Sequence, residues 1–154
     1  NIIRISLLRS PTWPDPLADR GKHTIRYALY PHSGDWRQGS TVQRGYEFNE
    51  PLIVKTGEKG NGDLPLQKSF IQLDPVNVIL SSIKKAEDGS NCWVMQLYES
   101  SGSPSSAQIT LPRIPDKIYL SNFLEEDLQL ISYEKNLIRF DFKKYEIKTI
   151  KVYW

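Results

Sequence analysis

Val76–Glu99 reads VNVILSSIKKAEDGSNCWVMQLYE. Val76–Ile83 is apolar and β-branched, Lys84–Gly89 is polar and ends in Asp-Gly, and Cys92–Glu99 is apolar again. Two strand-type runs joined by such a turn predict an antiparallel hairpin. A Ser/Gly/Pro loop over Ser100–Ser106 leads to a short run, Gln108–Leu111, closed by Pro112. Lys117–Phe123, Leu128–Tyr133, Leu137–Phe142 and Glu146–Tyr153 then follow at regular spacing. Repeated short strands with this punctuation predict a mainly β fold, an antiparallel β-sandwich with one short α-helix. Ile138, Phe140 and Phe142 alternate with Arg139 and Asp141, which gives one buried and one wet face. In the last run Ile147 and Thr149 share one phase while Ile150 and Val152 share the other. A bulge would reconcile them, and so would burial on both faces.

Upstream of the hairpin the text is less regular. Ile2–Leu8 and His23–Tyr30 have strand-type composition, and Pro31 ends the second. Between them Pro11, Pro14 and Pro16 forbid ladder pairing, and Asp19-Arg20-Gly21 makes a turn. Loops of about a dozen residues are uncommon in a compact domain unless they are functional. This one, carrying Arg9, Trp13, Asp15, Asp19 and Arg20, is therefore the first place to look for a site. Asp35 with Gln38 resembles a capping box, and Trp36, Val42 and Tyr46 fit one face of a helix that Pro51 ends. Residues 55–69, KTGEKGNGDLPLQKS, predict a flexible surface loop; they lack the order of a phosphate-binding glycine loop, and no helix pattern follows.

A chain of 154 residues is one domain by length, read here as a single C-terminal domain over 1–154. A net charge of +2, with basic residues dispersed, gives no electrostatic footprint for nucleic acid. No apolar run approaches membrane-spanning length, and no signal peptide stands at the start. The single cysteine, Cys92, excludes an internal disulfide and is compatible with a reducing, cytoplasmic compartment. A start at Asn1, already in strand-type sequence, reads as a piece of a longer polypeptide, its last domain; a processed chain is the alternative.

The catalytic inventory is thin. His23, His32 and Cys92 are the only histidines and cysteine, with no HExxH and no CxxC. No close grouping suggests a zinc site, which needs three or four converging ligands. Cys92 beside Trp93 on a strand reads as a small core residue. Glu125-Glu126-Asp127 reads as a solvated acidic turn. Asp15 and Asp19 share a loop with Arg9 and Arg20, either as an internal salt-bridge clip or as a polar wall offered to a ligand. Trp13 and Trp36 have faces that suit sugar stacking as well as ordinary packing.

SLLRSPTWPDPLADRGKHTIRYALYPH (6–32), followed by Gly34-Asp35-Trp36, resembles the C-terminal region of the glycoside hydrolase family 38 α-mannosidases, in their cytosolic and microbial branch. VILSSIKKAEDGSNCWVMQLYESSG, NFLEED and FKKYEIKTIKV are similar to that family's terminal β-domain, in the same order. The resemblance implies a retaining, zinc-dependent hydrolase of terminal α-mannosides whose metal ligands and nucleophile lie in a separate catalytic domain. None of those motifs is matched here, so it also implies that this chain alone is inactive, with zinc held elsewhere in the parent enzyme. Its partners would be the catalytic domain of the same polypeptide, an α-mannoside, and a further copy in a homo-oligomer. By the same likeness the loop after LLRSP helps shape the sugar pocket, with Arg9, Asp19 and Arg20 as candidate substrate-binding residues. The chain's WPDPLADRG departs from the acidic-acidic-x-Arg-Gly form of the lysosomal and Golgi branches, and Asp19-Arg20-Gly21 is the part that transfers best. The rival reading is an independent carbohydrate-binding, lectin-like sandwich; a third is a purely structural interaction domain.

Overall fold

The structure is a computed structural model that describes residues 2–57 and 60–154. The chain divides into two compact units, residues 1–39 and 40–154.

The larger unit is a β-sandwich preceded by one helix. Its strands are β1 (Gln72–Asp74), β2 (Val78–Lys85), β3 (Cys92–Glu99), β4 (Ser105–Thr110), β5 (Lys117–Ser121), β6 (Asp127–Leu130), β7 (Tyr133–Glu134), β8 (Leu137–Phe142) and β9 (Ile147–Tyr153). They form a four-stranded sheet in the order β1-β4-β8-β7 and a five-stranded sheet in the order β2-β3-β9-β5-β6. Every pairing is antiparallel. The core lies between the sheets: Ala107, Ile109, Ile138 and Phe140 from one meet Met95, Leu97, Ile118, Ile150 and Val152 from the other. Each such side chain removed from water contributes about 1.5–3 kcal/mol, so this layer dominates the stability of the unit.

The expected hairpin is present, with β2 and β3 paired from Val78↔Glu99 to Lys85↔Trp93. β3 and β8 keep their expected bounds. β2 runs on through Lys84 and Lys85 because their backbones still pair with Val94 and Trp93. β4 starts earlier than the apolar text, since Ser105 and Ser106 pair with Phe142 and Asp141. The single run expected over Leu128–Tyr133 is two strands, because the chain leaves the five-stranded sheet after Leu130 and joins the other at Tyr133. β9 keeps unbroken register with β3 and β5. No bulge forms in it; Thr149, Ile150, Lys151 and Val152 are all buried, so both faces are covered.

The helix α1 spans Thr41–Asn49 and ends before Pro51, as the restriction on the residue preceding proline requires. It starts later than expected. Gln38 Oε1 accepts from the Asp35 amide (3.0 Å) and Asp35 Oδ1 from the Gln38 amide (3.1 Å), so the reciprocal box does form. It closes only an isolated turn, because Ser40 sits at φ 52°, a left-handed conformation that cannot continue a right-handed helix. Trp36 therefore lies outside α1.

In the smaller unit the strands expected at Ile2–Leu8 and His23–Tyr30 are absent, and residues 2–38 hold neither helix nor strand. The apolar alternation is there, but a strand exists only where a neighbour accepts and donates the ladder bonds. The described residues of 55–69 are exposed and irregular; Glu58 and Lys59 lie outside the described residues.

Candidate functional site

The loop between the two strand-type segments is ordered by its own backbone. Asp15 Oδ1 accepts from the Leu17 amide at 2.8 Å, an Asx turn that suits an aspartate flanked by prolines. The Arg20 amide donates to the Leu17 carbonyl at 3.1 Å, and a His23 ring nitrogen pairs with the Asp19 carbonyl at 2.9 Å. Gly21 follows at φ 134°, a conformation that only glycine adopts without strain. The effect is a tight bend that leaves the Arg9 and Arg20 side chains exposed and Asp19 half-buried. Among the described residues no ion pair joins Arg9, Asp15, Asp19 and Arg20, so the salt-bridge clip does not form. Trp13 stands 84% exposed on this loop, while Trp36 is stacked by the Arg37 guanidinium at 4.4 Å.

The sandwich unit places its charges differently from the sequence expectation. Glu125 is not a solvated turn residue: its side chain is only 12% exposed, and its Oε1 pairs with Lys84 Nζ at 2.7 Å. Its Oε2 accepts from the Glu87 amide at 2.9 Å. The Lys84 bond, then that amide bond, hold the carboxyl below the ordinary glutamate range. On the adjacent part of the sheet Lys151 Nζ bonds Asp127 Oδ1 at 3.1 Å and the Glu125 carbonyl at 2.9 Å. Burial opposes the charge on Lys151, but bonds to Tyr153 and Asp127 outweigh it and raise the pKa above the ordinary lysine range. The acidic turn is thus a clasp over the outer face of the five-stranded sheet. Sequence could have hinted at it through Lys151, a charge set between Ile150 and Val152. A saturated set of ion pairs is structural chemistry, not a reaction centre.

Zinc binding needs ligands that these residues do not bring together. His32 faces the Ser33 carbonyl at 3.2 Å, and His23 is engaged as above. Cys92 is buried, and burial pushes its thiol up to about 11, far from a thiolate at neutral pH. Among the described residues no three His, Cys, Asp or Glu side chains gather to hold a metal ion.

Residues 77–150 match the glycosyl hydrolases family 38 C-terminal beta sandwich domain. The chain carries a family 38 terminal sandwich. The match begins beside β2 and ends within β9, so it covers eight of the nine strands just described. Alpha-mannosidase G of Dictyostelium discoideum is 33% identical over 153 residues, 97% of this chain and 14% of that protein. Alpha-mannosidase of Saccharomyces cerevisiae is 32% identical over 181 residues, 100% of this chain and 16% of that protein. Alpha-mannosidase 2C1 of Mus musculus is 28% identical over 154 residues, 97% of this chain and 15% of that protein. The chain therefore spans about one seventh of the curated relatives it matches. The matched residues lie within the larger unit, and the loop with Arg9, Asp19 and Arg20 lies upstream of them.

Proposed function

We propose that this chain is the C-terminal accessory part of a zinc-dependent, retaining α-mannosidase that hydrolyses terminal α-mannosides in the cytoplasm. In this reading the metal and the nucleophile belong to a catalytic domain elsewhere in the polypeptide. The sandwich buttresses that domain and supports contacts between copies. The loop adds Arg9, Asp19 and Arg20 to the wall of the sugar pocket. What supports the reading most is collinear similarity along nearly the whole chain to α-mannosidases of which it spans only 14–16%. Two guanidinium groups and a carboxylate on one tight loop are the groups that hydrogen-bond sugar hydroxyls.

Trp13 favours a second reading. An indole face 84% open to solvent beside polar groups is the stacking platform of a carbohydrate-binding module. Calorimetric titration of the chain with mannose and a short α-linked mannoside separates the two. The accessory reading expects no saturable binding without the catalytic domain. Saturable binding that is lost in Trp13→Ala overturns it in favour of a lectin-like module.

A further inference from the structure

Asn61-Gly62 lies in the connection from α1 to β1. Both residues are exposed, and neither belongs to a helix or strand. No hydrogen bond joins either to another described residue. A Cβ placed on Gly62 would meet nothing within 4 Å, so the space around the pair is open. Without a Cβ on the following residue, little crowds its amide nitrogen as it turns toward the asparagine side chain. The other described asparagines are held. Asn49 Nδ2 donates to the Gly45 carbonyl (2.8 Å), Asn91 Nδ2 to the Trp154 carbonyl (2.7 Å) and Asn136 Nδ2 to the Leu111 carbonyl (2.7 Å). Asn77 and Asn122 give theirs to Glu99 and Glu126, and each of the five precedes a residue that carries a Cβ. Asp88-Gly89 is the nearest chemical parallel, but its groups are engaged in a turn. The Gly89 amide donates to the Ala86 carbonyl at 3.3 Å, and Asp88 Oδ1 accepts from the Ser90 amide at 2.9 Å.

We propose that Asn61 is a site of spontaneous deamidation, in which solvent water converts it to aspartate and isoaspartate. The Gly62 nitrogen gives its proton to solvent base and attacks Asn61 Cγ. The Cγ–Nδ2 bond breaks, ammonia leaves and a five-membered succinimide closes. Water then opens the ring in one of two ways. Attack at Cγ breaks the new bond to the Gly62 nitrogen and yields aspartate. Attack at the main-chain carbonyl carbon breaks the original peptide bond and yields isoaspartate, with the chain now running through the former side chain. One water is consumed and one ammonia released, and nothing is oxidised or reduced. The product places a negative charge two residues from Asp63 and lowers the formal net charge of +2 by one unit. Ring closure needs the backbone to rotate, which an irregular exposed segment permits and the bonded turn at Asp88-Gly89 resists.

Peptide mapping by mass spectrometry of the folded full-length polypeptide, sampled during incubation at neutral pH, tests this. The Asn61 peptide should gain the mass of an amide becoming an acid and resolve into aspartyl and isoaspartyl forms. Its conversion should outpace that of each of the other five asparagines by about tenfold or more, since only Asn61 precedes a residue without a Cβ. Gly62→Ala should slow it by about tenfold, because the added methyl crowds the attacking nitrogen. The same methyl enters open space, so the melting temperature should stay at the wild-type value. Asn61 that keeps its amide in the folded polypeptide overturns the proposal; conversion only after unfolding in urea would place the cause in cover over the loop. Aspartate without isoaspartate also overturns it, since the side chain is then hydrolysed directly and no ring forms. Equal rates at Asn61 and the bonded asparagines overturn it as well, because local structure then selects nothing.

Discussion

Asn77 Nδ2 donates to Glu99 Oε1 at 2.9 Å, tying the entry of β2 to the end of β3 through a carboxylate that has no exposed surface. The same oxygen accepts from the amide (2.7 Å) and hydroxyl of Ser101. Oε2 accepts from the amides of Gly102 (2.8 Å), Ser103 (3.2 Å) and Tyr145 (3.0 Å). A buried charge is tolerated only when its lone pairs are filled in this way. Glu99 thereby holds the β3–β4 and β8–β9 connections against one end of the sandwich.

Glu99→Gln should lower the unfolding free energy by about 3 kcal/mol, because an amide cannot accept from six donors and turns its own NH2 toward some of them. Urea denaturation of both proteins at neutral pH measures the loss. An unchanged midpoint would contradict this role of Glu99.

The same carboxylate sets an acid limit. Burial pushes its pKa up, but the Ser101, Tyr145 and Asn77 bonds outweigh burial and bring it from 4.5 to about 2. A depressed carboxylate contributes stability that is fully present above its unfolded pKa and is lost as pH falls through the folded one. A span of that width is worth about 3 kcal/mol. Wild-type stability should therefore fall between pH 4.5 and pH 2, and Glu99→Gln should flatten that part of the profile.

Gly102 shows why the loop beside Glu99 reads Ser-Gly-Ser. It sits at φ 74°, and a Cβ there would stand 2.4 Å from the Tyr145 hydroxyl. Gly102→Ala should destabilise by about 2 kcal/mol through backbone strain and the displaced ring. A thermal melt checks it, with Tyr145→Phe in the same background expected to recover part of the loss.

Lys151 and Lys84 reach the same acidic turn with different exposure. The Lys151 side chain is 5% exposed on the central strand β9, while Lys84 lies near the edge of the sheet and is half exposed. Lys151→Ala removes a buried side chain together with its bonds to Asp127 and to the Glu125 carbonyl and leaves its site unfilled, so it should cost about 2 kcal/mol. Lys84→Ala should cost clearly less, since water screens its pairs. Equal losses in denaturant melts would mean that the turn does not depend on burial of Lys151.

Legibility followed the reach of each interaction. β3 and β8 were readable to the residue, β8 because Ile138, Phe140 and Phe142 face one core and β3 because its apolar run is bounded by Asn91 and Ser100. β1 was not, since Gln72–Asp74 is too short to show a period and is a strand only by pairing with β4. The Glu125 clasp was misread because sequence shows an acidic turn but not the lysines from β2 and β9 that fold beneath it. Ile2–Leu8 and His23–Tyr30 failed in the opposite sense: their local pattern is strand-like, yet residues 2–38 hold neither helix nor strand. For Arg9, Asp19 and Arg20 the tight turn at Asp19-Arg20-Gly21 was readable, whereas the lack of ion pairs among their side chains was not, because it depends on how the bend spaces them.

The pocket-wall proposal is decided by kinetics of the full-length enzyme. Arg9→Ala, Asp19→Ala and Arg20→Ala each remove an exposed or half-exposed side chain from a loop held by Asp15, Leu17 and His23, so the bend itself should survive. If these groups bond the sugar as the reaction proceeds, kcat/KM on an α-mannoside should fall at least tenfold, about 1.4 kcal/mol of transition-state stabilisation. Asp19→Asn should retain more activity than Asp19→Ala, because an amide still accepts from a hydroxyl. If the same residues only clamp the loop against the rest of the enzyme, kcat/KM stays near wild type while the melting temperature drops. The two roles therefore move different observables, and measuring both on one set of variants assigns each residue to one of them.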